Sequence, residues 1–451
     1  MRRKFAFIGA GSNVFTRNLT RDILTFPAFE DATIALMDID EERLRWAAKA
    51  VRRIVKEGRR PAKVVPTMSR AEALDGADGV LATIMVGGRD ARFHDVGIPL
   101  KYGVDQNIAD TRGPGGIMKF LRTWPAMRSI VKDIERYCPN AVFLNYTNPM
   151  AMLCRGMQAI SPQTTVSGLC HSVQGTASML ARWIGAPMDQ VTYLCAGINH
   201  QAFYLQYKWN GRDAYPMIRR AVTTRKEIYN EEQVRNEMLL HLDYYVTESS
   251  GHNSEYNAWF RKRPDLIEKY CTHGTGWNPG RSSREWVAGR EQRARDDRGK
   301  GKAPWWREGV KKFLAQPKLN LKRGEEYASY IFNAVFGDNT KYEFNGNVRN
   351  FGIIDNLPYG CCVEVPVLAS RRGLSPLKVG TMPRQLAALI SQNAQLEEMV
   401  VTGALTGDRR MIQQALLFDP LTAAVCSMAE TRRMFDELWR TSTKDLRWFG
   451  R

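Results

Sequence analysis

The sequence predicts an α/β protein with an N-terminal doubly wound parallel sheet and a C-terminal mixed α/β domain rich in helix. Three observations carry this expectation. Short apolar runs alternate with stretches of helical period through the first 200 residues, the pattern of a parallel sheet with crossover helices. The first run ends in a glycine turn that leads straight into a helix, which makes this half Rossmann-like. Past residue 200 the alternation is lost, and longer segments rich in Trp, Tyr and Arg follow. The expected division is therefore 1–200 and 201–451.

Each element has its local reason. Residues 4–9 are apolar and close on Gly9, and residues 18–26 then space their apolar side chains as an amphipathic helix does. Residues 33–38 form a second apolar run ended by Asp38, before a helix over 41–56 rich in Ala, Arg and Leu. Further strands are predicted at 79–85, 141–145 and 165–169, with helices at 116–137 and 150–159 between them. In the second half, 326–336 and 385–418 read as helical on either side of a strand at 361–368. Residues 274–302, dense in Gly, Arg and Asp, read as a flexible surface excursion.

The composition narrows the function classes. Hydrophobic residues make up 44% and charged residues 25%, which fits a folded globular chain and excludes a disordered one. No run reaches the ~18 apolar residues of a membrane span, so no membrane partner is expected. The opening apolar stretch, residues 5–10, is too short for a signal-peptide core. The 8 cysteines form no CxxC pair and read as cytosolic thiols, which places the protein in the cytoplasm. A net charge of +18 invites an acidic partner, but no helix-turn-helix, zinc-finger or aromatic RNA-binding signature accompanies it, so nucleic acid is not expected.

Two sets of residues carry chemistry. In Gly9-Ala-Gly11-Ser12-Asn13-Val14, Gly9 allows the tight turn and Gly11 lets the backbone approach a pyrophosphate at the helix N-terminus. The third glycine of the usual fingerprint is Val14 here. Asp38 ends the next strand, where a carboxylate binds a ribose hydroxyl and favours NAD. The second set follows later strands: Cys170 and His200 offer a thiol and an imidazole that can hold a divalent ion with open positions. The same two residues would equally serve as a buried thiol and a core imidazole. Asp110 and Arg112 precede a glycine-rich helix start, and Asn145-Tyr-Thr-Asn148-Pro149 ends a strand. Ligands of open α/β sheets bind beyond such strand ends.

Taken in order, these segments resemble the NAD- and manganese-dependent glycosidases of glycoside hydrolase family 4, most closely its α-galactosidase-like branch. The matching motifs include Ile108-Ala-Asp-Thr111, Gly113-Pro-Gly-Gly-Ile-Met118, Asn148-Pro-Met-Ala-Met152, Gly168-Leu-Cys-His-Ser172, Cys195-Ala-Gly-Ile-Asn-His200, Val246-Thr-Glu-Ser-Ser250 and Gly346-Asn-Val-Arg-Asn350. The resemblance implies NAD and Mn²⁺ as cofactors, an NAD-binding domain at 1–200, and a substrate-binding and oligomerisation domain at 201–451. It implies that Cys170 and His200 hold the metal, that Asn148, His171 and Arg349 touch the sugar, and that Asp110 is the acid near the glycosidic oxygen. The implied reaction oxidises C3, eliminates the aglycone after loss of the C2 proton, adds water and returns the hydride. A homodimer or homotetramer is the implied assembly, and a small-molecule glycoside the partner.

The chain departs from that branch in two places. Gly251 precedes His252 where the branch carries an acidic residue, which leaves Tyr256 as the C2 base, with Glu255 and His252 as alternatives. Arg112 stands where neutral-sugar enzymes carry an apolar residue. An α-galactoside is the default substrate, and an anionic α-glycoside, a uronide or sulfoquinovoside held by Arg112, is the alternative. An NAD-dependent sugar dehydrogenase is the alternative class.

Overall fold

The computed structural model describes residues 2–272, 282–296 and 305–449. Among the described residues the strands form one mixed sheet of 12. Its strands are β1 Lys4–Ile8, β2 Thr33–Met37, β3 Lys63–Thr67, β4 Gly79–Ala82, β5 Val142–Asn145, β6 Thr165–Gly168, β7 Val191–Ile198, β8 Gln201–Trp209, β9 Arg212–Asp213, β10 Tyr342–Arg349, β11 Cys362–Ser370 and β12 Gly373–Pro376. The spatial order is β3-β2-β1-β4-β5-β6-β10-β11-β7-β8-β9, with β12 on β11. The first six are parallel, as the alternation of runs and helices predicts. From β6 onward every pairing is antiparallel.

The period-2 geometry of β1 shows why these residues form a central strand. Phe5 and Phe7 face one core with Leu144, while Ala6 and Ile8 face the other with Phe143. Both faces are dry, and each large side chain buried this way contributes roughly 1.5–3 kcal/mol. Phe5 stacks on Phe332 of the helix Tyr327–Phe336 at 4.9 Å between ring centroids. The helix Glu41–Glu57 starts where the Asp40 side chain accepts the Arg43 amide and stops at Gly58. β4 ends at Ala82, three residues short of its predicted end; just past it the Thr83 hydroxyl donates to the Gly9 carbonyl and the Ile84 amide to the Thr147 hydroxyl, each at 3.0 Å.

Residues 342–370 do not pack as part of a separate lobe. β10 and β11 enter the sheet between β6 and β7, so Gly168, Asn347, Glu364 and Gly197 lie on one row across four strands. Residue 200 lies in the turn of the β7–β8 hairpin, so the segments on either side of it share a sheet. The predicted 385–418 helix is two helices, Arg384–Thr406 and Arg409–Leu416, divided at Gly407 with φ 74°. Within the predicted 274–302 excursion, Ser283–Asp296 is a helix packed on the helix Gly88–Lys101, a correction to the loop reading there; 274–281 and 297–302 lie outside the described residues. No described helix is long and apolar enough to cross a membrane.

Candidate active site

The nucleotide loop forms as its sequence predicts. Gly9 takes φ 86°, and a Cβ there would sit 2.8 Å from the Thr83 carbonyl oxygen. The Gly11 amide donates to Asp38 Oδ2 at 2.7 Å and the Asp40 amide to Asp38 Oδ1 at 2.9 Å, so Asp38 braces the loop. Asn13 donates to the Gly11 carbonyl at 3.0 Å, while its own Oδ1 is buried with no partner. Ser12 precedes the helix Asn13–Leu24 without a side-chain cap, and the first turn holds no acidic residue. Its first amides have no carbonyl four residues back, and a helix N-terminus of this kind favours an anion. Val14 is exposed at this turn, and Ile39, just past β2, is 86% exposed. An orphaned acceptor, uncapped amides and exposed apolar side chains together fit a dinucleotide.

The second set converges beyond the ends of β6 and β7. Ligand atoms of Cys170, His200 and Glu248 lie within 4.8 Å of one another, and so do those of Asp110, His200 and His252. Cys170 Sγ is 3.7 Å from Glu248 Oε2, and His200 Nε2 is 3.8 Å from the same oxygen. His200 Nδ1 meets the Thr111 hydroxyl at 3.0 Å, and that hydroxyl donates to Asp110 Oδ1 at 2.8 Å. With Thr111 donating to Asp110, His200 donates from Nδ1, which leaves the Nε2 lone pair facing Glu248 and Cys170. Burial pushes the His200 pKa down to about 4, so the imidazole is neutral, as a metal ligand must be. Burial, with Glu248 and Glu364, raises the Cys170 thiol well above its usual value. A sulfur, an imidazole and a carboxylate around one point fit a divalent transition metal.

Asp110 and Tyr256 lie against this cluster. Burial works to raise the Asp110 pKa, but Lys119 at 3.5 Å and the histidines 252 and 200 outweigh it, holding the carboxyl well below its usual range. Tyr256 is fully buried, with its hydroxyl 3.4 Å from His200 Nδ1. Burial and then Asp110 and Glu255 push this phenol well above its usual pKa, against Arg112. The protein's own groups thus do not lower it. Asn148 donates to Asp110 Oδ2 at 3.3 Å and keeps a buried Oδ1 without a partner, an acceptor available to a sugar hydroxyl. His171, half-exposed, pairs with Glu326 at 2.5 Å and lies beside the ring of Phe15 from the nucleotide helix. Glu255 accepts the amides of Ile108 and Ala109 at 2.9 and 3.0 Å and so shapes the Asp110 loop. His252 contacts Glu248 at 3.2 Å through Nδ1 and Asp110 at 3.7 Å through Nε2.

Two expected substrate contacts are corrected. The Arg112 side chain is 1% exposed, donates from Nε to Glu397 at 2.7 Å and from Nη2 to the Asn199 carbonyl, and lies over the Tyr256 ring. An enclosed guanidinium with these commitments is not a fork offered to a substrate acid group. Arg349 ends β10 opposite Val166, upstream on β6 and away from the Cys170 loop, given the Asn347–Gly168 pairing. Its Nε donates to the Gly360 carbonyl, and it lines a separate cavity of about 570 Å³ with Arg155, Gln158 and Phe351.

Three site residues escaped the sequence reading. Glu248 belongs to a quoted motif, but its approach to Cys170 and His200 depends on a positive φ of 68° that sequence does not announce. Lys119 lies two turns into the helix Gly113–Tyr137 and reads there as an ordinary polar-face residue. Glu364 sits fully buried on the shared strand row, receiving the Asn199 side chain at 3.4 Å, and burial lifts it to about 8.

Comparisons with known proteins identify the family. Residues 4–186 match the model described as family 4 glycosyl hydrolase, and residues 195–422 match its C-terminal domain. The chain is 37% identical to an alpha-galactosidase of Bacillus subtilis, over 97% of each chain. It is 36% identical to an alpha-galactosidase of Rhizobium meliloti, over 96% of this chain and 87% of that one. An alpha-galacturonidase of Thermoanaerobacterium saccharolyticum is 28% identical, over 98% and 96%. Among solved structures, a 6-phospho-alpha-glucosidase from gut microorganisms, in complex with NAD and Mn²⁺, superposes with a TM-score of 0.79 over 99% of both chains at 19% identity. With both domain models matched and relatives above a third identical along nearly its whole length, this chain belongs to glycosyl hydrolase family 4.

Proposed function

We propose that the protein is an NAD- and Mn²⁺-dependent α-glycosidase that hydrolyses α-galactosides by oxidation at C3, elimination, addition of water and re-reduction. The observation that carries the reading is the Cys170, His200 and Glu248 cluster set against Asp110, in the same molecule as an intact nucleotide loop. Two relatives named alpha-galactosidase support the choice of sugar. Cys170, His200 and Glu248 hold the metal, and Gly9, Gly11, Ser12, Asn13, Val14 and Asp38 form the dinucleotide site. When bound, NAD⁺ supplies a hydride acceptor for C3 and Mn²⁺ a Lewis acid for the neighbouring oxygens.

The chain's own groups bind, orient and move protons. Asn148 Oδ1 accepts a sugar hydroxyl, and His171, fixed by Glu326, stands between the nucleotide helix and the sugar. Thr111 fixes the His200 tautomer by linking it to Asp110. Asp110 and Tyr256 are the proton-transfer pair. Protein surroundings hold Asp110 ionised and Tyr256 protonated, so for Tyr256 to take the C2 proton its hydroxyl must first give up its own against that field. A uronide is the second reading; with Arg112 enclosed, the cation that favours it is Lys119, 20% exposed beside Asp110. Exposed Phe351 and Tyr359, 5.3 Å apart, support a homodimer or homotetramer, and 8 unpaired thiols support a cytoplasmic location.

Incubation with NAD⁺, Mn²⁺ and a nitrophenyl α-galactoside tests the proposal. Release of nitrophenol without accumulation of NADH is expected. Stoichiometric NADH would instead make the protein a sugar dehydrogenase. A kcat/KM higher for the α-galacturonide than for the α-galactoside would select the second reading.

A further inference from the structure

We infer that Arg112 is a positioning residue: a buried clamp that ties the metal-bearing turn to the C-terminal helix Arg384–Thr406 and holds His200 and Tyr256 in one arrangement. The inference rests on the reading of Cys170 and His200 as the Mn²⁺ site.

The clamp is built from three contacts of one guanidinium. Nη2 donates to the carbonyl of Asn199, the residue directly before His200. Nε donates to Glu397 Oε1 at 2.7 Å, and Glu397 is on the helix Arg384–Thr406. The carbon of the guanidinium lies 4.9 Å from the centroid of the Tyr256 ring. On its other side, Asn199 is held through Nδ2, 3.4 Å from both oxygens of Glu364. The residue before Arg112, Thr111, contacts His200 Nδ1 itself. A single short segment, Thr111-Arg112, therefore fixes both the ring and the backbone of the metal-bearing turn.

Stability alone does not explain this ion pair. The two side chains are 1% and 5% exposed, and an apolar pair of similar volume is often no less stable than a buried salt bridge. Arg112 Nη1 is also buried without a partner, a further cost of keeping an arginine here. What an apolar pair would not supply is the planar fork that reaches Glu397 and Asn199 at once.

The test compares Arg112→Met, the double variant Arg112→Met/Glu397→Met, and Arg112→Lys in the full chain. Mn²⁺ affinity is read from the EPR signal of free Mn²⁺ during titration, with NAD⁺ affinity and Tm measured alongside. Arg112→Met leaves Glu397 unpaired and lowers Tm, whereas the double variant regains it. Both bind Mn²⁺ about 10–100-fold more weakly than the wild type, with NAD⁺ affinity unchanged. Arg112→Lys, which keeps the charge for Glu397 but not the fork, recovers part of the loss. Wild-type Mn²⁺ affinity in the double variant would overturn the inference alone. Absence of Mn²⁺ binding by the wild-type protein would overturn the metal reading and the inference with it.

Discussion

Replacing Glu364 by Gln makes the protein more stable in alkali, relative to the wild type, by an amount that can be worked out. Burial, reinforced by Glu248, raises Glu364 from 4.5 to about 8, against the opposing hydrogen bonds and charge of Asn199, Arg112 and Asn347. The folded state thus holds this proton more tightly than the unfolded chain does. The stability that the protonated group contributes is complete below pH 4.5 and is lost as pH rises through about 8. One pKa unit corresponds to about 1.4 kcal/mol, so between pH 6 and pH 9 the wild type loses about 2–3 kcal/mol through this one residue. Glutamine keeps the volume and an oxygen for the Asn199 amide but has nothing to ionise. With an unfolding entropy of roughly 2 cal/mol/K per residue, that loss is about 3 °C of Tm for a chain of this length. Thermal unfolding of both proteins at pH 6 and pH 9, at matched ionic strength, should show the variant gaining about 3 °C on the wild type. Parallel Tm curves would refute a buried, proton-holding carboxyl.

Other residues give sharper local outcomes. Glu248→Gln is expected to weaken Mn²⁺ binding by about tenfold or more in a calorimetric titration; unchanged affinity would remove Glu248 from the ligand set. Because the fold raises the Cys170 pKa and the thiolate is the ligand, Mn²⁺ binding should release about one proton and tighten as pH rises, checked by calorimetry in buffers of different ionisation enthalpy. Gly9→Ala places a methyl 2.8 Å from the Thr83 oxygen at a positive φ, and should cost roughly 1–3 kcal/mol of stability and weaken NAD⁺ binding, measured by unfolding and fluorescence titration. Arg349→Ala should leave KM for the glycoside within about twofold of wild type, since Arg349 lies by Val166; a large rise in KM would return it to the sugar site.

How much of this was legible in the sequence depended on the range of the interactions. β1, β2, β4, β5 and β6 read as strands because each is a short run buried on both faces, a local property. The strand, glycine turn and helix of the predicted nucleotide loop were legible for the same reason, since Gly9, Gly11 and Asp38 meet within one βαβ unit. β11 was visible as an apolar run, but nothing in residues 361–368 says that it pairs beside β7. Arg112 read as a substrate-binding arginine because Arg is almost never fully buried unless paired. Its partner Glu397 is 285 residues away, on a helix whose pattern gives no hint of a charge turned inward. Glu248 was hidden by backbone geometry, and Arg349 by strand register. Both were carried in recognisable motifs whose position in space was not local information.

The place of β10 and β11 between β6 and β7 also bears on the order in which the enzyme is built. Cys170 and His200 are thirty residues apart in sequence, yet their strands are joined into one sheet only through a ribbon drawn from residues 342–370, which lies between them. Closing that span costs loop entropy before any pairing repays it. The nucleotide loop lies between β1 and the helix that follows, and the strands that pair with β1, β2 and β4, come early in the chain. During synthesis the pairing partners of β1 are therefore available long before those of β7, although the helix Tyr327–Phe336 that covers Phe5 comes late in both halves. Pulse-labelled hydrogen exchange during refolding should show the β1 and β4 amides protected ahead of those of β7 and β11; simultaneous protection would argue that the whole sheet condenses at once. Until residues 342–370 are in place the sheet stays open between β6 and β7, and nothing sets the spacing that brings Cys170, His200 and Glu248 together in the folded chain.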